Sequence, residues 1–206
     1  MSKATQTDAM GSIQRGIKRT LDFVMSALGL ILLSPIFIII SVLMKFQGNG
    51  PIFFRQIRIG YKGKPFVILK FRTISKKTEK NTPQLIAKTS CKSSTPFEKF
   101  LREHHLDELP QLWNVLVGDM SLVGPRPERK YFIDKIMEHT DLYPIIYNMR
   151  PGLTSEATLY NGYTDTMEKM LKRLQMDISY FERRSLWLDF KIIIKTFVNI
   201  ISGNKF

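Results

Sequence analysis

FVMSALGLILLSPIFIIISVLM, residues 23 to 44, carries no charged side chain and is interrupted near its centre by a Ser-Pro pair. The run reaches the roughly 20 residues that an apolar helix needs to cross a bilayer. It is too long for the core of a signal peptide, and no small-residue cleavage site follows it. Pro35 removes a backbone donor and clashes with the preceding turn, while Ser34 can hydrogen-bond to the carbonyls so freed. Arg15, Lys18 and Arg19 precede the run, and Lys45, Arg55, Arg58, Lys62 and Lys64 follow it. Positive charge favours the cytoplasmic side of a membrane, and here both ends qualify. The expectation is a helix broken at Ser34-Pro35 that enters and leaves by one face, each half about 11 residues or roughly 16 Å long. A Pro-kinked crossing is the alternative. Asp22 stands one turn beyond Lys18 and Arg19 and is expected to neutralise one of them at the interface.

The rest of the composition fits that setting. At 206 residues the chain suits one modest domain with attachments. Its formal charge of +13 calls for an anionic partner. The apolar run makes that partner anionic lipid or a phosphorylated substrate rather than nucleic acid. A single cysteine, Cys91, excludes a disulfide framework and fits a reducing compartment. No period of 20 to 50 residues recurs, which argues against a solenoid or propeller.

Beyond the apolar run, PIFFRQIRIGYKGKPFVILKFRTI (51–74) places two β-prone runs around Gly60-Tyr61-Lys62-Gly63-Lys64, a hairpin signal. The Gly-Lys pair lacks the spacing of a phosphate loop. Residues 75–95 are polar and uneven and read as a surface loop. A helix is expected from Pro96-Phe97, and another over 165–183. In the latter, Met167, Met170, Leu171, Leu174, Ile178 and Phe181 share one face as core filler. The last segment, SLWLDFKIIIKTFVNIIS, sets a narrow stripe of Lys191, Lys195 and Asn199 against a wide apolar face. That pattern suits a helix lying on a membrane or half-buried in the domain. Trp187 reads equally as an interfacial anchor or a core residue, and Asp189 is expected to pair with an internal Arg.

The chemistry concentrates in HHLDELPQLWNVLVGDMSLVGPRPER, residues 104 to 129. Pro110 suits the first turn of a helix continuing QLWNVLV, since a missing N–H is harmless there. Asp107 and Glu108 then lie at or just before its positive end, and Gly118-Asp119 closes it. Pro125 and Pro127 hold Arg126 stiffly, which suits a guanidinium fork meant to grip phosphate.

LREHHLDELPQLWNVLVGDMSLVGPRPE (101–128) resembles the signature of the bacterial monotopic phosphoglycosyl transferases, the polyprenyl-phosphate sugar-1-phosphate transferases. KRTLD at 18 to 22, the Ser34-Pro35 break, LKFRTI at 69 to 74 and RPGLTS at 150 to 155 appear in that family's order. The resemblance implies an α+β, mainly helical fold with a re-entrant membrane helix, a β-hairpin, and amphipathic helices packed on the membrane face. It divides the chain into a polar, mobile N-terminal segment (1–14), the broken membrane helix (15–47), and a catalytic domain ending in an amphipathic helix (48–206). The implied reaction moves sugar 1-phosphate from a UDP-sugar to polyprenyl phosphate, commonly undecaprenyl phosphate, and releases UMP. The implied place is the cytoplasmic face of the bacterial inner membrane, among its lipids, with downstream glycosyltransferases as further partners.

The family's nucleophile maps onto Asp107, which would also bind Mg²⁺. Glu108 would help position either the metal or the acceptor phosphate. Lys70, Arg72, Arg102, Arg126 and Arg150 are the cations expected around the diphosphate, with Lys70 and Arg72 projecting from one face of the outgoing strand. After RPGLT the chain reads SEATLYNGY, which departs from the family's usual Gly-aromatic-Ala-Gln pattern and leaves the sugar open. His104 and His105 have no third ligand at zinc spacing, and a surface or supporting role is expected of them. A lipid-phosphate phosphohydrolase and a non-enzymatic basic membrane adaptor are the rival classes.

Overall fold

The computed structural model describes residues 7–47, 50–73, 95–161, 164 and 166–202. The polar loop expected over 75–95, with Cys91, lies outside them except for Thr95. The fold is α+β and mainly helical, as expected.

Helices α1 (Ser12–Leu32) and α2 (Ser34–Phe46) meet at Leu33 with a bend of 58°. Pro35 has no N–H to offer the Ile31 carbonyl one turn back, and the Ser34 hydroxyl donates to that carbonyl instead, at 2.7 Å. The break therefore costs no unsatisfied acceptor. Among the described residues no single helix is long and apolar enough to cross a membrane, whereas the bent pair passes that test together. Phe23, Leu28, Ile31, Leu32, Ile38 and Ile39 are exposed along it.

Helix α1 is tied to the domain by its polar end. Arg19 donates to Val115 O and Leu116 O at 2.7 and 2.8 Å, and Leu122 N donates to buried Asp22 at 3.0 Å. Asp22 thus serves a backbone amide, and its charge supports Arg19 without a close ion pair to it among the described residues. Lys18 instead meets Asp189 at 2.5 Å, and Tyr180 donates to that same carboxylate. Asp189 is paired as foreseen, but with a lysine from α1 rather than an internal arginine.

Strands β1 (Phe53–Ile59) and β2 (Pro65–Phe71) form the expected antiparallel hairpin, in a register that sets Phe53 opposite Phe71 and Ile59 opposite Pro65. Its end strand carries Phe71 into a small core with Ile40, Met44 and Leu101, so the hairpin, α2 and α3 (Pro96–Glu103) share one apolar seam. Helix α3 starts in a full capping box: the Thr95 side chain accepts from Glu98 N, and Thr95 N donates to Glu98. Helix α4 (Gln111–Val117) packs under α1 and against β2, where Ile68, Val115 and Met120 form a second core.

The largest core lies between α5 (Lys130–Met137), the 3₁₀ turn Tyr143–Asn148, α7 (Met167–Arg183) and α8 (Leu186–Ile201). It buries Met170, Leu174, Ile178 and Phe181, so the methionine-rich face is core filler. Helix α6 (Glu156–Asn161) packs on α7 and α8, where Glu156 is engaged with Arg183 at 3.1 Å. On α8, Trp187 is 64% exposed and stacks on Phe190, which rules out the core reading of this tryptophan.

Two features were not foreseen. Strands β3 (Ser121–Val123) and β4 (Gly152–Thr154) pair in parallel and bring the GPRP and RPGLT stretches together. A Cβ on Gly124 would sit 2.3 Å from Arg150 O, and one on Gly152 would sit 2.1 Å from Gly124 N. Only glycine permits that approach. The N-terminal segment, expected to be mobile, is docked where it is described: Met10 is 1% exposed, Ala9 N donates to Phe181 O, and Asp8 pairs with both Arg184 and Arg15. A buried guanidinium at the end of α7 requires that anion. Helix α1 accordingly begins at Ser12, ahead of the expected position 15.

Candidate active site

Asp107 and Glu108 occupy a 3₁₀ turn, Leu106–Glu108, between α3 and α4. His105, just before it, has φ 55°, in the left-handed region that a non-glycine residue adopts only under local constraint. Leu106 and Leu109 anchor the turn in the core beneath α2. Pro110 caps α4 rather than opening its first turn, so the dyad precedes the helix as expected. Gly118, at φ 99°, ends that helix.

The two carboxylates have opposite surroundings. Lys70 Nζ lies 2.5 Å from Glu108 Oε1, and Arg126 Nη2 reaches the same oxygen at 3.2 Å. Burial alone would raise Glu108, but these two cations overcome it and hold the carboxyl far below the usual range. Asp107 makes no ion pair among the described residues, and its Oδ2 accepts from the Thr73 hydroxyl at 3.4 Å. Burial, and then the neighbouring Glu108 charge, push Asp107 up from 3.8 to about 6. One carboxylate is locked as an anion, and the other is costly to ionise and has no cation paired to it among the described residues. Arg126 is raised above its ordinary value by Glu108, yet 40% of its side chain stays open.

The remaining expected cations sit differently. Arg102 donates to Thr73 O at 3.0 Å, behind the threonine that faces Asp107. Arg72 is buried past the end of β2 and donates to Pro51 O at 2.7 Å, so it does not share a charged face with Lys70. Its Nη2, like Gln111 Nε2, has no hydrogen-bond partner among the described residues. Arg150 donates to Gly118 O at 2.9 Å and lies over the Tyr61 ring. With Arg19 it caps the C-terminal end of α4, the end away from the dyad. Of the five cations, Lys70 and Arg126 contact the pair, both through Glu108. His104 Nδ1 lies 2.9 Å from Phe100 O, which accepts from it, and the ring packs on Phe100. No group of three metal-binding side chains occurs among the described residues, so the zinc reading gains nothing.

Sequence reasoning missed the side chains that aim this site. Asn114 accepts from Leu69 N at 3.0 Å and donates to Val67 O at 2.7 Å, stitching α4 onto β2 so that neighbouring Lys70 reaches Glu108. Its only signal was a polar residue on the buried side of QLWNVLV. Thr73 and Glu128 lie inside quoted stretches, but nothing local paired them with Asp107 or with Arg58 and Arg173.

The description "bacterial sugar transferase" belongs to the family model that matches residues 13–203. A UDP-glucose:undecaprenyl-phosphate glucose-1-phosphate transferase of Klebsiella pneumoniae is 40% identical over 190 residues, 91% of this chain and 40% of that protein. A protein with the same description from Caulobacter vibrioides is 40% identical over 188 residues, 90% of this chain and 70% of its own length. The exopolysaccharide production protein ExoY of Rhizobium meliloti is 32% identical over 206 residues, 93% of this chain and 88% of its own length. The chain spans about 40% of the length of the Klebsiella relative. The family model spans most of the chain, and the chain belongs to the bacterial sugar transferase family.

Proposed function

We propose that this chain transfers sugar 1-phosphate from a UDP-sugar to undecaprenyl phosphate, through a covalent intermediate on Asp107. The observation that carries this is the asymmetry of the dyad: Glu108 is held by Lys70 and Arg126, while Asp107 is buried and unpaired among the described residues. A desolvated carboxylate is a stronger nucleophile than a hydrated one, and splitting one difficult transfer into two easier ones is the gain from covalent catalysis.

In the first step an Asp107 oxygen attacks the phosphorus that bears the sugar. The bond from that phosphorus to the UMP oxygen breaks, and its electron pair leaves with UMP. In the second step an oxygen of undecaprenyl phosphate attacks the same phosphorus and the acyl-phosphate bond returns its electrons to Asp107. Arg126 has open guanidinium surface to turn from Glu108 toward the diphosphate, and Lys70 keeps Glu108 anionic as it does so.

Mg²⁺ fits these residues in a limited way. It commonly takes one or two carboxylates and fills the remaining positions with phosphate oxygens and water. Asp107 offers such a carboxylate, whereas Glu108 is already engaged. Bound there, the ion would neutralise the diphosphate and stabilise the departing UMP.

Helices α1 and α2 form the re-entrant anchor in this reading, supported by the 58° bend and by basic residues at both ends. Exposed Trp187, Phe190 and Phe197 on α8 supply a second lipid contact. In this reading the dyad works at the cytoplasmic face of the inner membrane, and its product passes to downstream glycosyltransferases. The donor sugar differs among the relatives: the Klebsiella protein is described with UDP-glucose and an Aeromonas hydrophila protein with UDP-N-acetylgalactosamine.

The test is UMP release from a panel of UDP-sugars with undecaprenyl phosphate and Mg²⁺. UMP should appear with at least one donor and be lost in Asp107→Asn. Inorganic phosphate released from the lipid without UMP would establish a phosphohydrolase instead. Neither product, with membrane binding intact in both proteins, would favour an adaptor.

A further inference from the structure

Glu128 ends the Gly-Pro-Arg-Pro-Glu stretch, and its carboxylate is gripped from two elements. Arg58 on β1 donates Nη1 to Oε2 at 3.2 Å, and Arg173 on α7 makes a still closer contact to Oε1. The same Arg58 nitrogen reaches Pro127 O at 3.2 Å, and Ile59 N donates to Glu128 O at 3.0 Å. On the other side of Arg126, Gly152 N donates to Pro125 O at 2.9 Å. Arg126 is therefore bracketed by clamped residues, while its own fork extends to Glu108.

We infer that Glu128 is the positioning residue for Arg126: it ties the loop to β1 and α7 so that the guanidinium is presented to the substrate diphosphate, and it does not touch substrate itself. This rests on the transferase reading above. Glu128 and Arg173 are 9% and 6% exposed, and such a buried pair is repaid only by well-formed hydrogen bonds. Three guanidiniums crowd around one carboxylate, and the charge of Arg126 itself acts on Arg58. Removing the Glu128 charge leaves Arg58 and Arg173 to repel each other and Arg126, and the loop loses the tie that sets its height over the dyad. A misplacement of about 1 Å at such a point can cost about 100-fold in rate.

A double-mutant cycle on UMP release tests this, with enzyme in excess so that weak variants remain readable. Glu128→Gln should lower kcat/KM for the UDP-sugar about 10- to 100-fold when Arg126 is present. In an Arg126→Ala background the same change should cost less than about threefold, because nothing remains to be positioned. Equal losses in both backgrounds would overturn the inference and leave Glu128 a residue that merely holds the fold. If Glu128→Gln does not accumulate folded, Arg173→Lys takes its place in the same cycle, keeping the charge while losing the fork. A wild-type chain that releases no UMP from any donor would refute the transferase reading itself, and this inference with it. An active wild type with an additive cycle refutes the inference alone.

Discussion

Replacing Asp107 by Asn should abolish turnover and make the protein more stable. Asp107 is 9% exposed, and burial beside the Glu108 charge lifts its carboxyl from 3.8 to about 6. The folded protein then holds that proton more tightly than the unfolded chain does. Its stability accordingly falls as pH rises from about 4 to about 6, and the full cost persists above that. At about 1.4 kcal/mol per unit, a rise of about two units amounts to about 3 kcal/mol as an upper bound. Asn keeps the shape and carries no charge, so Asp107→Asn should gain about 1–3 kcal/mol at pH 8, at about 2–4 °C in Tm per kcal/mol. At pH 5 the unfolded carboxyl is ionised and the folded one is not, and the gain should be about half as large. Tryptophan fluorescence during heating, in nanodiscs with EDTA to exclude metal effects, reads both values. A lower midpoint for the variant at pH 8, or a gain larger at pH 5 than at pH 8, would refute the argument that this carboxylate is ionised at a cost to folding.

Lys70→Met should destabilise the protein by about 3 kcal/mol, because Glu108 loses the closer of its two cations inside the domain, and urea unfolding would show it. Arg150→Ala and Arg126→Ala should separate cleanly. The first removes a cap from α4 and should cost about 1 kcal/mol of stability with KM for the UDP-sugar unchanged, while the second should leave Tm within about 2 °C and cut turnover at least about 100-fold. With Cys91 replaced by Ser, single cysteines at Ser12 and at Gly50 should react equally with an impermeant thiol reagent from the cytoplasmic side. Labelling from opposite sides would mean that the bent pair crosses the membrane.

What could be read from the sequence was what neighbouring residues decide. The Ser34-Pro35 break, the hairpin around Gly60-Lys64, the start of α3 at Pro96 and the helix end at Gly118 each depend on a few consecutive residues. Lys70 and Arg126 were expected around the diphosphate, and both in fact hold Glu108. The missed features all depend on long-range partners. Asp8 meets Arg184 across 176 positions, Glu128 meets Arg58 across 70, and β3 meets β4 through three residues each. No local period announces such pairs. Arg72 and Arg150 were misplaced for a related reason: a basic residue in a motif can satisfy a carbonyl as readily as a phosphate, and Pro51 O and Gly118 O are what they find. Asn114 was hidden because a polar residue on a buried helix face looks like an exception until the strand edge it completes is in view.

The nucleophile is the central claim, and one mass measurement addresses it. Wild-type protein is incubated with UDP-sugar and Mg²⁺ but without undecaprenyl phosphate, quenched in acid, and weighed intact before peptide mapping. Attack by Asp107 requires a gain of one sugar-phosphate unit on the peptide that holds Asp107, with an equal amount of UMP released, and no gain in Asp107→Asn. An adduct mapped to Glu108 would reverse the two roles. Full turnover on adding the lipid acceptor, with no adduct ever formed and Asp107→Asn still active, would contradict the covalent mechanism.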